Sequence, residues 1–318
     1  MKRRRFLLAG AFAAFVPGAA AQARPKIGFL LAVQPTKSVL APIVIARLGE
    51  LGYRDGKSAT LIYRSAEGDP DRFPQLAREL VEAKCDVIFA IGPEHAARAL
   101  KAATTSTPVV FFANDYDPLR ANVVGNLARP GANVTGVYVP EPELVAKRLQ
   151  LIREALPAAR RILVFSDAFS ADQLGAARSA AESAGLEIAL IEFSKPPYDL
   201  ARALERSADV DALMVMTSPA LFAPLETLRA PLVKRRLASI GTAGYADRGI
   251  LFGFGAVSAS GLRRTAEIGV AILKGARPAS IPVEQPREFE FVINANVARQ
   301  MELRIPESVL ARATRIVQ

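Results

Sequence analysis

Short unbroken apolar runs alternate along the chain with stretches whose apolar positions recur every three to four residues. KIGFLLAV (26–33), ATLIYRS (59–65), DVIFAIG (86–92) and PVVFFAN (108–114) read as strands. The helical stretches between them are clearest in DRFPQLARELVEAK (71–84). There Phe73, Leu76, Ala77, Leu80 and Val81 share one helix face, and Asp71 stands where an N-cap belongs. The alternation breaks at LARPGANVTG (127–136), where Pro130-Gly131 marks a turn. VTGVYV (134–139) is a further strand-like run and leads to a helix at about 142–155.

A second series then begins. It runs through RILVFSD (161–167), a helix at 171–185, EIALIEF (187–193), a helix near 198–207, DALMVMTS (211–218), a helix at 222–235 and LASIG (237–241). GILFGFG (249–255) precedes a helical stretch at 258–274, and EFEFVIN (288–294) with terminal helices closes the chain. Continuous apolar strands alternating with amphipathic helices mean parallel sheets covered on both faces. The expected fold class is therefore α/β, with two doubly wound parallel-sheet lobes joined by a hinge. Crossings between lobes are expected near 130–142, 241–256 and 276–288.

The first residues break this pattern and change the picture. Lys2, Arg3, Arg4 and Arg5 precede an apolar stretch, Phe6 to Val16, that is shorter than the roughly 20 residues a bilayer span needs. Ala19-Ala20-Ala21 and Ala21-Gln22-Ala23 are candidate cleavage sites, which completes the layout of an export signal over 1–21. Arg3-Arg4-Arg5-Phe6-Leu7 also resembles the twin-arginine pattern, so the twin-arginine and general secretory routes both stay open. No cysteine stands immediately after the cleavage site, so no lipid anchor is expected, and the mature chain should diffuse freely in a periplasm. Removing 21 residues takes four of the 41 basic residues and none of the 31 acidic ones, which lowers the net charge from +10 to +6. The remaining basic residues are spread out. Their one dense cluster, Lys234-Arg235-Arg236, ends a helix and reads as a solvated face, so nucleic acid is not an expected partner.

Candidate chemistry is sparse. Cys85 is the only cysteine; it joins a helix to an apolar strand and reads as a small buried hydrophobe. His95 is the only histidine, in GPEHAARAL at the start of a helix, where it reads as a surface or cleft-edge residue. One histidine and one cysteine remove most metal sites and most histidine-based dyads. There is no phosphate-binding G-x-x-x-x-G-K-[ST], and GFGAVSASG (253–261) does not match G-x-G-x-x-G. No cofactor, metal site or catalytic residue is expected.

Four stretches carry a resemblance: LGELGYRDGKSATLIYRSAEGDPDRFPQLARELVEAKCDVIFAIG (48–92), NLARPGANVTGV (126–137), LKGARPASIPVEQPREFEFVIN (273–294) and LRIPESVLARA (303–313). They resemble the ABC transporter substrate-binding proteins of the uncharacterised type, whose members include presumed tryptophan and aromatic amino-acid receptors. The resemblance implies the type I periplasmic binding protein, or Venus-flytrap, fold, with three hinge crossings and a ligand held between lobes. The lobes implied are 24–137 plus about 251–283, and 138–250 plus about 284–318. It implies a small-molecule ligand, a monomer, and delivery to an ABC permease in the inner membrane. A sensor docking on a membrane signalling protein, or a secreted enzyme on the same framework, are the competing readings.

In open α/β sheets ligands sit outside the carboxyl ends of strands, and helix N-termini there offer free N–H groups to a carboxylate. The candidate contacts are therefore Gln34, Thr36 and Ser38 after the first strand, Gly92, Pro93 and Glu94 after the third, and Asn114, Asp115 and Asp117 after the fourth. Asp167, Phe169 and Ser170, then Ser218, then Tyr245 follow strands of the second lobe. Asp117-Pro118 matches a family Asp-Pro pair. Relatives often have Gly-Thr or Gly-Ser where this chain has Gly92-Pro93, so a hydroxyl suited to a carboxylate is missing here. Phe169 and Tyr245 could stack on an aromatic ligand or pack the lobe surface. Phe111 and Phe112, inside a strand, are expected in the core.

Overall fold

The computed structural model describes residues 24–114 and 116–318. The export signal at 1–21 and the candidate contact Asp115 lie outside the described residues. In chain order the first half runs β1 (Lys26–Leu31), α1 (Ala41–Glu50), β2 (Thr60–Ser65), α2 (Phe73–Glu82), β3 (Val87–Gly92), α3 (Glu94–Ala103), β4 (Val109–Ala113), β5 (Val134–Tyr138) and α4 (Glu141–Ala155). There follow β6 (Arg161–Asp167), α5 (Ala171–Ala184), β7 (Glu187–Phe193), α6 (Leu200–Glu205), β8 (Ala212–Val215), α7 (Pro219–Phe222), α8 (Arg229–Arg235) and β9 (Ala238–Gly241). The chain ends with β10 (Phe252–Ala256), α9 (Ser258–Leu273), β11 (Phe289–Asn294), α10 (Ala295–Gln300), α11 (Glu307–Leu310) and β12 (Arg315–Val317).

Two sheets result. The first, ordered β2-β1-β3-β4-β5, is parallel throughout. Its central strands explain the unbroken apolar runs. In β3 Ile88 and Ala90 point to one core cluster with Leu76, Leu80 and Leu100 of α2 and α3. Val87, Phe89 and Ile91 point to another, with Val44 of α1 and Leu262 and Ala266 of α9. A period of two that feeds two covered faces leaves no polar position. Phe111 and Phe112 are fully buried. Cys85 is buried beside Gly28, and burial pushes its thiol up to about 11, so it is an inert core group.

The second sheet, ordered β12-β11-β10-β9-β8-β6-β7, departs from the all-parallel expectation at one pair, β10 and β11, which run antiparallel. The reason lies in the crossings. The chain leaves the first sheet at 139–140, returns at Val257 between β10 and α9, and leaves again through 285–288. Val257 donates its N–H to the Glu288 carbonyl at 2.9 Å, so the outgoing and incoming segments lie side by side and must run in opposite directions. Residues 252–256 were expected in the first lobe. They pair with β9 and β11 in the second sheet, which moves the crossing past 256.

Smaller differences have local causes. Asp71 does not cap α2; Asp69 accepts the Asp71 N–H and caps a 3-10 turn at Pro70–Arg72 that leads into the helix. The single helix expected at 222–235 is broken into α7, a 3-10 turn at Leu225–Leu228 and α8, because Pro224 has no N–H to continue the ladder. The strand β12 was not anticipated; three residues carry too little periodicity to read.

Candidate functional site

The carboxyl ends of β1, β3 and β4 in the first sheet face those of β8 and β9 in the second. Between them lies a cavity of about 200 Å³. Its first-lobe wall includes Leu31, Ala32, Val39, Leu40, Ile43 and Ile91, and its second-lobe wall includes Pro219, Phe222 and Tyr245. The lobes touch around it: a Cβ on Gly92 would come 3.8 Å from Pro219 Cγ, and one on Gly68 only 2.7 Å from Pro196 Cγ.

Five of the expected contacts line this cavity: Ser38, Gly92, Asn114, Ser218 and Tyr245. Gln34, Thr36, Pro93, Glu94, Asp117, Asp167, Phe169 and Ser170 do not. Gln34, Glu94, Asp117, Asp167 and Ser170 are engaged elsewhere. Gln34 donates to Glu67. Glu94 pairs with Arg98 at 3.1 Å. The Asp117 carboxylate accepts the N–H groups of Leu119 and Arg120 in a local turn. Pro93 is the N-terminal cap of α3, its carbonyl accepting the Ala96 N–H.

Asp167 is 1% exposed and organises the second-lobe wall. It accepts the Ser218 hydroxyl at 2.5 Å, the Ser170 hydroxyl at 3.1 Å and the Phe169 N–H at 3.1 Å. Burial pushes its carboxyl above the usual range, against the pull of these donors. The Ser218 hydroxyl also accepts from the N–H groups of Ala220 and Leu221, so it is saturated as the cap of α7. The Tyr245 hydroxyl accepts the Ser218 N–H at 3.0 Å and lies 3.1 Å from the Met216 carbonyl to which it donates. What Ser218 and Tyr245 offer the cavity is therefore shape and a ring face. Gly241 makes room for that ring: a Cβ there would meet it at 2.5 Å.

The sequence reading missed Lys37 on the first-lobe side of the lining and Thr217 and Thr242 on the second. Thr217 is bound on both backbone sides by Gln173, whose amide donates to the Thr217 carbonyl at 2.7 Å and accepts its N–H at 2.9 Å. Its hydroxyl donates to buried Glu141 at 3.1 Å. Among the described residues, Lys37, Asn114 and Thr242 belong to the lining and their side-chain polar atoms have no protein partner; Lys37 is exposed at its edge. No described group of three or more acidic, histidine or cysteine residues could hold a metal ion.

His95 sits where the lobes meet, stacked 6.1 Å from Phe73 and edge-on 5.7 Å from Phe169 of the other lobe. Its Nδ1 is buried without a partner, and burial lowers its pKa. The folded state thus binds a proton less readily than the unfolded chain, so stability falls as pH drops below the ordinary histidine value of about 6.5. His95→Gln is expected to reduce the fall in melting temperature between pH 7 and 5. An unchanged pH profile would show that this ring does not titrate on unfolding.

A family model described as ABC transporter substrate binding protein matches residues 42–317. A tyrosine-binding protein from Clostridioides difficile is 25% identical over 274 residues, covering 81% of this chain and 75% of that protein. A crystal structure of a conserved domain protein from Vibrio cholerae is 29% identical, with a TM-score of 0.81 over 92% of this chain and 99% of that one. An ABC domain from Streptococcus pneumoniae in complex with L-Trp is 27% identical, with a TM-score of 0.78 over 93% of this chain and 100% of that one.

Proposed function

Since this chain belongs to the ABC transporter substrate-binding protein family, we propose that it is an exported periplasmic receptor that captures a small carboxylate, aromatic in part, and delivers it to an ABC permease. Export runs through the signal at 1–21, cleaved near Ala21 or Ala23, and the mature receptor works as a free monomer. The observation that carries this reading is the cavity between the two sets of strand ends. A ligand there touches Ser38, Gly92 and Asn114 on one lobe and Thr217, Phe222 and Tyr245 on the other. Those contacts exist together only when the lobes are close, so occupancy favours the closed state. A permease can then tell a loaded receptor from an empty one.

The lining supports the ligand class. Its wall is mostly aliphatic and aromatic, and the lining residues with unpartnered polar side chains are an amide, a hydroxyl and, at the exposed edge, one lysine. That set suits an apolar body with a single anionic end. The relatives that bind tyrosine or contain L-Trp agree with this class. Pro93 supplies no hydroxyl, so Lys37 and Asn114 are the candidates for the carboxylate.

Thermal shift and calorimetry with L-tyrosine, L-tryptophan, 3-phenylpropanoate, a dicarboxylate and neutral sugars test the reading. An aromatic acid is expected to bind, stabilising the fold by about 2.7 kcal/mol at a hundred times its Kd. Lys37→Ala should weaken it about tenfold, equivalent to ~1.4 kcal/mol. Binding of a neutral sugar with no response to any acid would overturn the ligand class.

A further inference from the structure

The largest fully buried side chain among the described residues, that of Arg148, is not at the cavity but behind it. Arg148 on α4 and Glu141 at the start of that helix are each 1% exposed and form a two-pronged pair, Nη1 to Oε2 at 2.7 Å and Nη2 to Oε1 at 3.2 Å. Replacing such a pair with apolar residues of similar size is often neutral or stabilising, so its burial is weak evidence of a role in stability. Its connections say more. Glu141 stands directly after the first crossing, at 139–140. The Arg148 Nε donates to the Phe254 carbonyl at 2.8 Å, three residues before the second crossing at Val257. Val257 is in turn hydrogen-bonded to Glu288 in the third. On its remaining side the pair meets Thr217: Arg148 Nη1 is 3.4 Å from its hydroxyl, which donates to Glu141. Thr217 lines the cavity.

We propose that Arg148, held by Glu141, is a positioning residue that ties the ligand-facing wall at Thr217 to the crossings between the lobes, and so sets the angle at which the lobes meet. The idea deepens the receptor reading and rests on it for its purpose, but the geometry concerns the hinge alone. One planar guanidinium reaches the hinge strand, the helix after the first crossing and the cleft wall at once, which an ammonium cannot do. A backbone shift at a crossing is then felt at Thr217 through one guanidinium that hydrogen bonds to the Phe254 carbonyl, Glu141 and Thr217 hold on three sides. Gly255 keeps the space open, since a Cβ there would press on Thr242 Oγ1 at 2.6 Å and approach Arg148 Nη2 at 3.5 Å.

The test needs no ligand, so its outcome stands apart from the fate of the receptor reading. Spin labels at Gln75→Cys on α2 and Ser179→Cys on α5, both exposed positions, report the distance between lobes by pulsed electron resonance. Removing both charges together, with Arg148→Met and Glu141→Leu, leaves no unpaired ion. The expected result is a cooperative melt like that of the labelled parent and a clearly broader or displaced distance distribution. Arg148→Lys and Thr217→Val should each broaden it to a lesser degree, and they decide the matter if the double variant does not fold. Distributions that superimpose on the parent in the folded variants would overturn the proposal.

Discussion

Glu141→Ala alone is expected to lower the unfolding free energy by about 3–5 kcal/mol, the usual cost of breaking a buried pair by removing one partner. The variant leaves the Arg148 guanidinium, 1% exposed, with only the Phe254 carbonyl and the Thr217 hydroxyl for partners. It also strips the Thr217 hydroxyl of its acceptor. Against the 5–15 kcal/mol that holds a typical domain together, such a loss brings the protein close to unfolding. Urea denaturation at pH 7 measures it, and a loss under about 1 kcal/mol would show that water reaches Arg148 or that the wall relaxes around it. The comparison with the double apolar variant separates two quantities. The single change reads the penalty of an orphaned charge, whereas the double change reads what the pair does beyond cancelling it.

The pair could have been suspected from the pattern alone. Glu141, Leu144, Val145, Arg148, Leu149 and Ile152 follow helical spacing, so two charged residues sit on the apolar stripe of α4. Strands were easier to see than contacts. A covered parallel strand such as β3 announces itself by a run with no polar position, whatever its neighbours are. The polar residues at strand ends do not announce what they bind. Asp167 and Ser218 were both expected to face the ligand; they bind each other across 51 residues, a pairing no local spacing encodes. In the loop after β1, the 3-10 turn at Pro35–Lys37 decides which side chains face inward. Gln34 and Thr36 stay out of the lining, whereas Val39 and Leu40, with Ile43 of α1, join Lys37 and Ser38 in it, so a wall expected to be polar is largely apolar.

Gly92 is the expected contact whose replacement should cost the receptor most. It closes β3 with φ +111°, a conformation that side chains rarely adopt, and this turn lets α3 begin two residues later at the cavity edge. Forcing a side chain into such a conformation costs about 1–3 kcal/mol. The second cost falls on binding. Gly92 lines the cavity, and its missing Cβ points at Pro219 of the other lobe, 3.8 Å away. Alanine would just fit that gap, but the two γ-methyls of valine would not, and they would hold the lobes apart while filling ligand space. Gly92→Ala is therefore expected to lower the melting temperature with a modest loss of affinity. Gly92→Val should raise the Kd of the acid bound by the parent more than a hundredfold in calorimetry, while the far-ultraviolet dichroism stays that of a folded α/β protein. Parent-like affinity in the valine variant would mean that the cavity between the strand ends is not where the ligand sits.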